Sequence, residues 1–289
     1  MKPAPFEYFA AGGAEDAIRL LGEYGDEALI LAGGQSLVPM MNMRLARPSV
    51  LIDINGCADL SGINGGAGGC RIGAATRQKH LMKSAEVADK VPLLAKALPF
   101  VGHLQTRNRG TIGGSIAHGD PSAEIPLVGV TLDAEITLRN MDGERSIAAS
   151  KFYDGPMSTA READECLTEV QFPVWAETSG AAFHEVSERH GDFAIVSAAA
   201  QVQLDAGGTC IRAALGIGGA HPYPIKAETA EAVLTGSDLN GDVIAEAANI
   251  AAGGIEAMSD VHASAAYRGR VARVLAERAI TDALAEARR

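Results

Sequence analysis

A chain of 289 residues and 29.9 kDa has room for one large domain or for two or three modest ones. Hydrophobic residues at 47% and charged residues at 21% point to a packed core rather than disorder, and with aromatics at 4% that core must be built from Ala, Val, Leu and Ile. The balance of 25 basic against 36 acidic residues gives a net charge of −11. Such a field repels a nucleic-acid backbone, so any phosphate site must be local and built from backbone dipoles. No apolar run approaches the roughly 20 residues that span a bilayer, and MKPAPFEYF lacks a signal-peptide apolar segment, so a cytoplasmic protein without a membrane span is expected.

In chain order, residues 14–24 place Ile18, Leu21 and Tyr24 on one helical face, with Gly25 suited to the C′ position. ALILA (28–32) reads as a short buried strand, GGQS as a loop, SLVPMMNMRL as a helix interrupted early by Pro39, and SVLIDIN (49–55) as another strand. This βαβ block implies a small parallel sheet. SGINGGAGG (61–69) reads as a flexible turn, followed by the strand CRIGAA, a helix from Thr76 and another from Pro92. EITLRNMDGERSIAAS has the pattern of a hairpin turning at Asp142-Gly143, and ECLTEVQFP that of a strand ended by Pro173. Composition shifts near 175–180. Beyond it, residues 194–220 read as antiparallel strands around a DAGG turn, and helices are expected over 242–257 and 262–287. The class is α+β, divided into an N-terminal region of two subdomains (about 1–56 and 57–176, together 1–176) and a C-terminal sheet-and-helix domain over 177–289.

Familiar catalytic motifs are missing. The sequence has no phosphate-binding G-x-x-x-x-G-K-[ST], no complete G-x-G-x-x-G and no G-x-S-x-G. Its seven histidines form no H-x-x-x-H pair, and the cysteines at 57, 70, 166 and 210 are isolated, so neither a protein-held metal nor an iron–sulfur cluster is expected in this chain. What stands out is a pair of glycine loops, AGGQSL (32–37) and TIGGS (111–115). Glycine admits φ > 0 and close approach of backbone N–H groups to an anion, and Ser36, Thr111 and Ser115 add hydroxyl donors. Two such nests from distant loops would clamp both phosphates of a dinucleotide, whereas either loop alone reads better as a tight turn.

LAGGQSLVPMMNMRLARPSVLIDIN together with RNRGTIGGSIAHGDPSAE resembles the FAD-binding medium subunit of molybdenum hydroxylases, the family of aerobic carbon monoxide dehydrogenases, quinoline- and nicotine-type oxidoreductases and the flavin segment of xanthine dehydrogenase. The resemblance runs the length of the chain. It implies the vanillyl-alcohol-oxidase/PCMH-type fold, with FAD extended between the subdomains and its pyrophosphate held by Ala32, Gly33, Gly34, Gln35, Ser36 and Leu37 and by Thr111, Ile112, Gly113, Gly114 and Ser115. It further implies Glu124 near the adenosine ribose, and Leu167, His184 and Phe193 beside the isoalloxazine. Where many members carry paired arginines before the GDF loop, this chain has Glu188-Arg189.

On the residues alone, Glu124 is also a first-turn acid, His184 a solvent-facing strand residue, Phe193 a core aromatic, and Arg107 and Arg109 a solvated pair. The resemblance implies an oxidoreductase subunit with no catalytic side chain and no metal of its own. FAD would receive electrons from two [2Fe–2S] clusters of a small iron–sulfur subunit. The molybdenum cofactor of a large subunit would oxidise the substrate, with the N-heterocycle hydroxylases the nearer relatives, and the assembly would be a dimer of heterotrimers. A standalone flavin oxidase and a non-enzymatic nucleotide-binding module are the rival readings.

Overall fold

The structure, a computed structural model, describes residues 2–66 and 68–289. Three sheets organise it. The first is parallel, with Val50–Asp53 between Glu7–Ala10 and Ala28–Leu31. Helix Ala14–Tyr24 buries Ala17, Ile18 and Leu21 against it, and Ile52 and Cys166 belong to the same core. The edge strand Glu7–Ala10 escapes a reading of periodicity because its residues are largely exposed, although Tyr8 donates its hydroxyl to Asp53.

The second sheet is antiparallel, in the order Ile63–Gly66, Gly69–Gly73, Cys166–Phe172, Glu135–Asn140, Gly143–Ala148. Three expectations are corrected here. Most of the stretch 61–69 is not a featureless turn, although Ala67 within it lies outside the described residues. Asn64 and its glycines pair with Arg71 and Cys70, since glycine-rich backbone still completes a ladder when a neighbouring strand supplies the partners. The hairpin turns one residue earlier than expected, at Met141-Asp142, where Asn140 Oδ1 accepts from the N–H groups of Asp142 and Gly143. The helix expected from Thr76 begins at Gln78, because Thr76 N–H bonds Gly73 and Arg77 is extended.

The third sheet runs Ser179–Val186, Val196–Leu204, Cys210–Gly218, Ile225–Lys226, all antiparallel. Helices Gly241–Gly253 and Ala265–Ala287 cover one face of it, capped by Asn240 and Ser264. The other face packs on the second sheet's helices: Phe183 meets Phe100 at 5.2 Å between ring centroids, and one core runs from Ile72 and Leu127 to Ala181 and Ala199. Helix Glu124–Thr131 sits at this seam. A Cβ at Gly216 would collide with Thr131 Oγ1 and fall 2.9 Å from Leu127 Cδ1, so only glycine lets helix and strand come this close. The observed fold is α+β.

Candidate functional site

A cleft of about 870 Å³ opens where the loop after strand Ala28–Leu31 meets helix Ile112–His118, with segments near 188–195 and 260–262 on its far side. Gly33 is buried in that loop, and a Cβ there would fall 2.5 Å from Arg109 O and 2.8 Å from Gly110 Cα. The two glycine loops therefore touch backbone to backbone. Arg77 fastens the contact by donating to Arg109 O and to Asn55 Oδ1. Gly34 takes φ +71°, which turns the chain along the cleft into helix Leu37–Asn42. Pro39 causes no break, because it lies in the first turn, where backbone N–H groups have no intrahelical acceptor.

The loops differ in what they offer a ligand. The N–H groups of Gly33, Gly34, Gln35 and Ser36 make no hydrogen bond to the described residues, while Gln35 Nε2 folds back on Gly33 O at 3.1 Å. Four successive open donors on a cleft wall form an anion-binding concavity. In the second loop, Ile112 N–H bonds Thr76 O (3.1 Å), Gly113 bonds Ala74 O (2.9 Å), Gly114 bonds Thr111 Oγ1 (3.0 Å) and Ser115 bonds Thr111 O (3.2 Å). This segment is thus a capped helical turn rather than a second nest of free N–H groups. It contributes the Ser115 hydroxyl and a wall without side chains. Gly113 is forced by packing, since its Cβ would fall 2.5 Å from that of Ala74.

Of the expected site residues, all line the cleft except Ile112 and His184. Ile112 is fully buried and points into the core. His184 faces away on strand Ser179–Val186, its Nε2 2.8 Å from Asp282 on the C-terminal helix, because strand alternation sends Phe183 toward the cleft side and His184 to the opposite face. Phe193 is no core aromatic: it is 62% exposed at the cleft mouth. Arg107 folds onto the carbonyls of Val101 and Gly102 (2.8 and 2.6 Å). Leu167 is buried against the cleft. Glu124 is 5% exposed on its wall, and burial pushes its carboxyl up to about 7, with Asp120 adding to the rise while its own N–H and Arg107 oppose it.

Residues that the sequence did not assign to the site complete the rim. Glu188 meets His262 at 2.7 Å and Arg189 meets Asp192 at 2.9 Å, so each of Glu188 and Arg189 has a local partner. Arg268, buried in the C-terminal helix, donates to Ile195 O (2.5 Å), Gly219 O (2.7 Å) and Asp260 Oδ2 (2.5 Å), tying that helix to two edges of the cleft. Nothing in YRGR distinguishes it from a surface arginine.

Residues 4–175 match the family model described as the FAD binding domain in molybdopterin dehydrogenase, and residues 181–283 match that of the CO dehydrogenase flavoprotein C-terminal domain. The chain belongs to this family. It is an FAD-binding medium subunit of the molybdenum hydroxylase type, an oxidoreductase component. The 6-hydroxypseudooxynicotine dehydrogenase complex subunit alpha of Paenarthrobacter nicotinovorans is 43% identical over 100% of this chain and 97% of its own. The carbon monoxide dehydrogenase medium chain of Hydrogenophaga pseudoflava is 34% identical over 99% of both. Among solved structures, carbon monoxide dehydrogenase from Hydrogenophaga pseudoflava matches with a TM-score of 0.96 at 36% identity, covering 99% of both chains. Quinoline 2-oxidoreductase from Pseudomonas putida 86 matches at 0.93 and 36%, with the same coverage. No helix among the described residues is long and apolar enough to cross a membrane.

Proposed function

We propose that FAD lies in this cleft, non-covalently, with its pyrophosphate against the open N–H groups of Gly33–Ser36. Those unclaimed donors are the observation that carries the reading, because in a chain of net charge −11 backbone dipoles are the means of holding two phosphates. The volume suits a cofactor. Thr111, Gly113, Gly114 and Ser115 form the opposing wall, Glu124 takes a ribose hydroxyl, and Leu167 and Phe193 border the ring system. Bound FAD supplies the exchange between one-electron and two-electron carriers. The chain's own work is to hold, orient and shield it: the loop contact at Gly33 fixes the groove width, and Arg268 holds the far edge shut.

In this reading the residues to about 176 form the FAD-binding domain and those from 177 the C-terminal domain. The protein is the medium subunit of a cytoplasmic complex, a dimer of heterotrimers. Electrons arrive from the [2Fe–2S] clusters of a small partner and leave to an external acceptor, and the large molybdenum subunit hydroxylates an N-heterocycle or related small molecule. The relatives named for nicotine-derived and quinoline substrates support that class. Flavin analysis tests the core of it. The purified chain should be yellow and release FAD, not FMN, into the supernatant on acid precipitation; colourless protein that ignores added FAD refutes it.

A further inference from the structure

Behind the cleft wall lies a pair of carboxyl groups. Glu124 begins helix Glu124–Thr131, faces the cleft, and makes no side-chain hydrogen bond beyond its own N–H. Glu185, on strand Ser179–Val186, lies close enough for the charge of Glu124 to act on it. Both Glu185 carboxyl oxygens are buried without a close hydrogen-bond partner among the described residues; the Ser187 hydroxyl, near enough to favour the charged form, donates to Arg189 O at 3.0 Å. Its cross-strand neighbour Ser197 is fully buried, and Ser197 Oγ is unpartnered as well. This face looks onto the helix: a Cβ at Gly218 would fall 2.7 Å from Ser197 Oγ and 3.1 Å from Leu127 Cδ2.

The set holds two carboxyl groups and one unbonded hydroxyl, Ser197. Of the surrounding charges, Arg107 acts on Glu124 but is held by carbonyls, and Asp120 adds a further negative charge. His184 turns to the opposite face and Asp282, while Lys96 on helix Pro92–Ala97 is held by Glu286. Two ionised carboxylates at this seam would repel in a low dielectric with no cation to separate them. A proton on Glu185 removes one of the two charges.

We infer that Glu185 is a positioning residue that keeps a proton behind Glu124, so that the pair presents a single negative charge to the cleft and to the hydroxyl groups of a ribose bound there. The inference rests on the FAD reading above. Burial pushes Glu185 up to about 8, the charge of Glu124 adding to it and the Ser187 hydroxyl opposing, while Glu124 itself stands at about 7, so both groups change charge around neutrality. Once Glu185 ionises, Glu124 is pushed from its position and the grip on the ribose weakens.

Two measurements on the full chain test this. The first is a pH titration of carboxyl carbons by NMR on glutamate-labelled apoprotein, wild type and Glu185→Gln. The second is FAD affinity across pH 6 to 9. For the wild type, two coupled titrations near neutrality are expected, with FAD affinity falling above pH 8 by up to about tenfold per pH unit. Glu185→Gln, which mimics the protonated group, should leave one titration, for Glu124, at little-changed pH, and should abolish the alkaline loss of affinity. A Glu185 that ionises in the ordinary carboxylate range, or a Gln variant with an unchanged alkaline limb, overturns the inference and leaves FAD binding standing. A coupled pair in a chain that binds no FAD at any pH overturns the FAD reading instead. Because the wild-type titration decides the protonation state by itself, a poorly folding variant does not rescue the idea.

Discussion

Gly33→Ala separates the cleft's geometry from its composition. The added carbon would lie 2.5 Å from Arg109 O, 2.8 Å from Gly110 Cα and 3.0 Å from Arg109 C. Carbon atoms rest roughly 3.5–4.0 Å apart, so the loops must separate by about 1 Å. The obstructing atoms are backbone and cannot rotate away, and Arg109 O is also the acceptor for Arg77, so the shift loosens that fastening too. Overpacking of this kind costs about 1–3 kcal/mol, which for a chain of this size lowers the melting temperature by about 2–10 °C. The φ of Gly33 is not in the left-handed region, so the penalty comes from contact and not from backbone strain. Gly114→Ala is the matched control. Its nearest neighbours are Thr111 Oγ1 at 2.8 Å and Ala32 Cβ at 3.7 Å, and a side chain can give way, so the loss is limited to a weakened cap of about 1 kcal/mol. Thermal melts followed by circular dichroism, with FAD titrated by fluorescence quenching, read both effects. Gly33→Ala should melt lower than Gly114→Ala and bind FAD at least about tenfold more weakly than wild type, since a displaced wall misplaces every donor. If Gly33→Ala melts and binds like the wild type, the two loops are not in backbone contact and the reasoning fails.

Other expectations follow from single features. Gly269 lies within helix Ala265–Ala287, and a Cβ added there would meet nothing within 4 Å, so Gly269→Ala should stabilise the chain by about 1 kcal/mol, seen as a higher melting temperature. Arg268→Met strands two carbonyls, while half-exposed Asp260 turns to water, and should cost about 1–3 kcal/mol for each carbonyl, read by denaturant unfolding. Glu124, Glu185 and Glu231 are held at about 7, 8 and 7, against 4.5 for the ordinary group, burial being the first cause in each. The folded chain therefore binds more protons than the unfolded one between those values. Stability should be greatest at the acid end of that window and decline as pH rises from about 5 to 8, with a shallower slope in Glu185→Gln. The isolated chain, loaded with FAD and free of molybdenum and iron, should reduce no dye with an N-heterocycle, an aldehyde or carbon monoxide; turnover matching that of the three-subunit complex would restore the standalone oxidase.

Much of the fold is legible in local pattern. The strands ALIL and VLID and the helix around Ile18 and Leu21 announce themselves by apolar content and spacing, and the DAGG turn carries its own side-chain acceptor in Asp205. The edge strand Glu7–Ala10 is hidden because an exposed strand has no buried face to impose alternation. Both cleft glycine pairs stand out in the sequence, but for an incomplete reason. Only Gly34 needs positive φ, whereas Gly33 and Gly113 are required by neighbours supplied from residues 109–110 and 74, contacts that no linear spacing encodes.

The carboxyl pair marks where sequence reasoning stops. Glu185 shares a strand face with Phe183, opposite His184, yet FHEV reads as a strand with a polar, solvent-facing edge. Its carboxyl oxygens are buried on the face where helix Glu124–Thr131, whose residues are all buried, packs on strands Val196–Leu204 and Cys210–Gly218, and that packing is possible only because the latter carries glycines at 216 and 218 that admit Leu127 and Thr131. The glycine pair Gly218-Gly219 is thus tied to the cleft as firmly as the two pairs on its walls: Gly219 N–H bonds Pro121 O at 2.8 Å, fixing the segment that delivers Glu124. A carboxylate's ionisation is decided by what covers it, and here the cover comes from a helix and two strands widely separated in sequence. The same closeness that buries the seam raises both acids, so the packing of the C-terminal sheet and the charge of the cleft wall are linked.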